Sequence, residues 1–113
     1  MELKIIETND TYTHLAMVGR LDVIGVGEVE NKFIGFSAAR KKNTVADLAE
    51  VSFLGSMGIR IFMSTAKALG LEGKKLILVN PQPEVKNVLE ASGITTFIPI
   101  ADDTTAAVKL ARA

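Results

Sequence analysis

Two short stretches hold the side chains best placed for chemistry: FLGSMGIR at residues 53–60 and GRLD at residues 19–22. In the first, an apolar run breaks at Gly55, presents the hydroxyl of Ser56, takes a second glycine at Gly58 and resumes as an amphipathic pattern. A serine becomes a nucleophile when a neighbouring base takes its proton. The base is missing: His14 is the only histidine and falls inside a predicted strand, where a half-exposed structural role is expected of it. Cysteine is absent, and no HExxH, paired-histidine or calcium-loop pattern occurs, so metal chemistry lacks its usual ligands. GVGEVE at residues 25–30 has two glycines but not the third of a dinucleotide loop. Ser56 and Asp22 alone do not make an acyl-transfer site. Two roles stay open for Ser56. It could cap a helix, its Oγ accepting a free amide N–H of the first turn, or it could belong with Asp22 to a ligand-prone edge outside the carboxyl ends of parallel strands.

The elements that must position these residues follow from periodicity. Leu3–Glu7 and Thr13–Gly19 read as two strands joined by the turn-rich Thr8, Asn9 and Asp10, a hairpin. From Val26, the spacing of Val26, Val29, Phe33 and Phe36 predicts a helix that ends near Arg40, Lys41 and Lys42, where cations complement its dipole. TVADLAEV at 44–51 and the continuous apolar LILV at 76–79 read as strands, the latter buried on both faces. Between them, Ile59, Phe62, Met63, Ala66 and Leu69 form the expected buried stripe of a helix that stops at Gly70. Pro81 is expected to open the next helix, whose inward face is Val85, Val88 and Leu89, and Ser92-Gly93 ends it. ITTFIPI at 94–100 reads as an edge strand tolerant of Pro99, and DDTTAAVKLARA as a C-terminal helix. The order β-β-α-β-α-β-α-β-α specifies an α/β domain with a mixed, mostly parallel sheet of about five strands and about four helices.

Composition sets limits on partners. Thirteen basic residues balance thirteen acidic ones, and 48% of the chain is hydrophobic. That fits one globular domain spanning residues 1–113 and disfavours a nucleic-acid binder, which gains affinity from excess cations facing phosphates. No apolar stretch approaches the roughly 20 residues of a membrane span. Without cysteine or an N-terminal apolar segment, a cytosolic protein is expected.

Taken in order, GRLD, VADLAEVSFLGSMGIR and KKLILVNPQPEVKNVLEASGI resemble a STAS domain of the bacterial anti-sigma factor antagonist kind, over nearly the whole chain. In that family the loop reads Asp-Ser-Ser/Thr/Ala-Gly, and the serine after the aspartate is phosphorylated. Residue by residue, the resemblance places the phosphoacceptor on Ser56 and the family glycine on Gly58. Gly55 stands where the family has aspartate, and Met57 follows the serine.

The resemblance implies a non-enzymatic binding module. Its partners would be a serine-kinase anti-sigma factor, which brings the nucleotide and metal, and a PP2C-type phosphatase; the chain itself would need no cofactor. A monomer suffices. A partner-binding surface is expected around Asp22, Gly55, Met57, Gly58, Arg60, Ile61 and Ser64, with Met57 and Ile61 exposed one turn apart and Gly58 keeping the approach to the serine bare. The alternative is a non-switching STAS subunit, for example of a phospholipid-transport ABC assembly, which Gly55 suits. A small enzyme or nucleotide binder is disfavoured by the missing base.

Overall fold

A computed structural model describes residues 1–113. Strands β1 (Glu2–Thr8) and β2 (Tyr12–Leu21) form the antiparallel hairpin, and β3 (Asn43–Leu54), β4 (Leu76–Val79) and β5 (Ile100–Ala101) add in parallel, in the spatial order β1-β2-β3-β4-β5. Helices α1 (Val23–Phe36), α2 (Ser56–Leu71), α3 (Pro83–Ser92) and α4 (Thr104–Arg112) complete the expected element order. No helix is long and apolar enough to cross a membrane.

The two faces of the sheet are covered unequally. Val26, Val29 and Phe33 of α1, Ile61, Phe62 and Leu69 of α2 and Val85 and Leu89 of α3 pack on one face against Leu15, Met17, Leu48 and Leu78. Phe33 and Phe62 meet edge to face, their ring centroids 5.9 Å apart. The other face is covered by α4, whose Ala107 and Ala111 lie on Tyr12, Val45, Ile77 and Val79. All four residues of β4 are buried because it has helices on both sides, which is why it lacks alternation.

Several local expectations are corrected. Helix α1 begins three residues before Val26, because the Asp22 side chain accepts the amide of Gly25 and caps it there. It ends at Phe36, so the basic cluster lies on a short 3-10 turn (Ala38–Arg40) and the left-handed Lys41, outside the helix. Helix α2 runs past Gly70 to Leu71. Pro83 takes the first-turn position expected of Pro81. The stretch 94–100 opens as a 3-10 turn (Ile94–Thr96) and continues irregularly, with only Ile100 joining a two-residue strand. The left-handed Gly93 ends α3, and the 3-10 turn after it buries Ile94 and Ile98 in the core in place of extending them along the sheet. His14 is buried within β2, not half-exposed, and Val88 faces outward.

The stripe of α2 is rotated from the expected one. Phe62 and Leu69 are buried as expected, but they are joined by Gly58, Ile61 and Thr65, while Ile59, Met63 and Ala66 are half-buried at the edge. Gly58 sets this rotation: a Cβ there would lie 2.5 Å from Leu54 Cδ1 and 3.1 Å from Leu21 Cβ. Glycine lets the first turn of α2 approach the ends of β2 and β3 this closely without displacing the Leu54 side chain.

Candidate functional site

The carboxyl ends of β2 and β3 lie side by side, with Leu21 paired to Leu54, and both chains turn there into helices. The amide of Gly55 donates to the carbonyl of Leu21 at 3.0 Å and ties the two turns together. Gly55 is the N-cap of α2 and offers no side chain to its first turn, so Ser56 is the first helical residue. The reading of Ser56 as a cap is therefore overturned. Ser56 is exposed and stands at the rim, leaving its hydroxyl open to solvent.

Asp22 and Ser56 are brought together as the loop placement suggested: both line a depression of about 310 Å³ with Val23, Phe53, Gly55 and Met57. The amide of Gly25 holds the Asp22 carboxyl below the ordinary carboxylate value; partial desolvation opposes this, and the hydrogen bond and charge of Arg20 add to the lowering. Asp22 is thus a negative charge on the same depression as the serine, engaged in capping α1 and a weaker base than an ordinary carboxylate. On the other side of Ser56, a second groove of about 450 Å³ runs between α2 and α3, lined by Leu54, Gly55, Ser56, Ile59, Val88, Ala91 and Ser92.

The structure divides the remaining expected site residues. Met57 is half-buried at the rim, and Arg60 and Ser64 are exposed along α2, where with Met57, Ile61 and Glu30 they line a groove towards α1. Ile61 is 2% exposed and packs in the core, so it is not the exposed docking residue expected. Gly58 is buried as well; it shapes the turn from beneath and does not keep an approach bare. The exposed apolar residues at this end are others: Val23 (71%), Ile24 (75%) and Phe53 (39%). Arg20 lies over the Phe53 ring, its guanidinium carbon 4.4 Å from the centroid. Val23 and Ile24 were recognisable in principle, since an apolar pair directly after a capping aspartate precedes the buried stripe of α1. Phe53 carried a weaker signal, its position next to Leu54 on a strand whose alternation breaks.

The STAS domain family model matches residues 4–107. The chain belongs to the STAS domain family. Among its relatives, an anti-sigma-B factor antagonist of Staphylococcus epidermidis is 25% identical over 97 residues, covering 86% of this chain and 90% of that protein. An anti-sigma factor antagonist from Mycobacterium paratuberculosis superposes with a TM-score of 0.84 at 24% identity, over 99% of this chain and 96% of that one. The phosphorylated form of the Bacillus cell fate determinant SpoIIAA superposes with a TM-score of 0.70 at 19% identity, over 96% of this STAS domain and 99% of that chain. These likenesses agree with the five-stranded sheet and four helices seen here.

Proposed function

We propose that this STAS domain is an anti-sigma factor antagonist: unmodified, it binds a serine-kinase anti-sigma factor and releases the sigma factor held there. Phosphorylation of Ser56 ends the binding. The observation that carries this reading is the placement of Ser56, an exposed and uncapped hydroxyl bordered by Val23, Phe53 and Met57. Clustered aromatic and methionine side chains with an arginine nearby are what the centre of a protein interface favours. The names of the relatives point the same way.

In the modification, the Ser56 oxygen attacks the γ-phosphorus of ATP bound to the kinase, the bond to the β-γ bridging oxygen breaks, ADP leaves and the hydroxyl proton passes to a base of the kinase. The chain supplies only the hydroxyl. A PP2C-type phosphatase reverses the step by hydrolysis. The product carries roughly −1.5 to −2 charges at the start of α2, where helix geometry tolerates an anion, so the domain need not unfold. The cost is felt in the complex. One added charge held about 4 Å from a like charge costs roughly 4 kcal/mol at an effective dielectric of 20, close to a thousandfold in affinity.

The test is incubation with the serine-kinase anti-sigma factor encoded in the same genome and Mg-ATP, followed by intact-mass and fragment analysis. One phosphoryl group on Ser56, absent from Ser56→Ala, is expected. A chain that is neither modified nor bound by the kinase would instead favour a non-switching STAS subunit.

A further inference from the structure

Arg20 is the cation that contacts two of the residues, Asp22 and Phe53, lining the depression with Ser56, and its present engagements are weak ones. It is paired in register with Phe53 across β2 and β3 and lies over that ring. Its Nε donates to Asp22 Oδ2 at 3.3 Å, an exposed contact at the long end of hydrogen bonding. The other four N–H donors of the guanidinium have no partner within the chain. The Phe53 ring leads towards Ser56: a Cβ on Gly55 would lie 3.1 Å from its Cε2. Guanidinium, ring and phosphoacceptor turn therefore follow one another at the rim, with Asp22 on the same depression as the serine.

We propose that Arg20 is the intramolecular receiver of a phosphate on Ser56, turning its fork from Asp22 and Phe53 to the phosphoryl oxygens. This rests on Ser56 being the phosphoacceptor. The competition favours the phosphate, because it carries more charge than a carboxylate and offers oxygens spaced for bidentate bonding. Asp22 keeps its bond from the Gly25 amide and stays in place as a second anion, so the guanidinium ends between two negative groups. Arg60, the other cation near this turn, follows Ser56 by one turn of α2 and lines the groove shared with Met57 and Glu30, which makes it the competing receiver. Gly55 belongs to the same arrangement, since an aspartate at that position would compete for Arg20 and press on the Phe53 ring. One modification thus both adds an anion to the docking face and withdraws the arginine that covered its aromatic residue, with the change confined to the rim.

The experiment uses the full chain synthesised with phosphoserine at position 56, which needs no kinase, and follows the phosphate by phosphorus NMR as a function of pH. The second ionisation in the wild-type background is expected about one pH unit below that in Arg20→Gln, with Arg60→Gln matching wild type. Arg20→Lys, which keeps the charge but not the fork, should fall between. The Nε resonance of Arg20 in the otherwise unaltered chain should also move on phosphorylation, a readout independent of whether Arg20→Gln folds. Coincident titrations for wild type and Arg20→Gln with an unmoved Nε resonance, or a larger shift in Arg60→Gln, would overturn the proposal. Failure of a kinase to modify Ser56 would remove the function and leave this result intact.

Discussion

The turns into α1 and α2 have nearly the same backbone and opposite chemistry. Their N-caps, Asp22 at φ −98°, ψ −173° and Gly55 at φ −104°, ψ −176°, are superimposable in conformation and are tied through Leu21. At α1 the carboxylate of Asp22 accepts the Gly25 amide at 2.8 Å and closes the helix end. At α2 the cap position is a glycine, no side chain closes the end, and a hydroxyl stands free at the first helical residue. The difference teaches that the fold does not need α2 capped. The polar side chain that closes one turn has no counterpart in the other, and exposed Val23 on the closed turn and Phe53 beside the open one leave apolar surface next to the free hydroxyl.

The largest effect should come from the face of α2 behind the open turn. Ile61→Asp puts a carboxylate into the core against α1 and should cost about 4 kcal/mol or more, read as a drop in the urea midpoint. A loss within about 0.5 kcal/mol would return Ile61 to the surface and undo the corrected helix face. A smaller effect is expected from opening the closed turn with Asp22→Ala. Because the folded pKa of Asp22 lies below its unfolded value, its contribution is present above the ordinary carboxylate range and is lost as the pH falls through the folded value. Wild type and Asp22→Ala should therefore differ in melting temperature at pH 7 and converge in acid; a gap that widens below pH 4 would contradict the assignment. The smallest effect is expected from closing the open turn. Gly55→Asp gains a cap worth only about 0.3 kcal/mol over glycine but must push the exposed Phe53 ring by a few tenths of an ångström. A net change within about 1 kcal/mol follows, and a collapse of the thermal transition would show that the glycine is there for packing alone.

Most of this architecture was legible because periodicity reports burial directly. The hairpin, the buried LILV strand, the C-terminal helix and the helical stripe of α1 follow from spacing, end charges and turn residues. What was not legible depends on how elements pack together. The stripe of α2 is compatible with two rotations one residue apart, and only the close approach at Gly58 selects the one that buries Ile61. The segment 94–100 has strand-like composition, yet only Ile100 enters the sheet. At the site, Ser56 and Asp22 were found from their loops, whereas Phe53 and Arg20 were not, because their meeting depends on a register between β2 and β3 that includes irregular steps.

The most direct test of the central claim is the affinity of the cognate serine-kinase anti-sigma factor for this chain with and without phosphate on Ser56, by calorimetric titration under one buffer and salt condition. About a thousandfold weaker binding of the phosphorylated form is predicted, with the thermal transition of the free domain preserved. Equal affinities for the two forms would contradict the switch and leave Ser56 as an exposed residue of a constitutive STAS module.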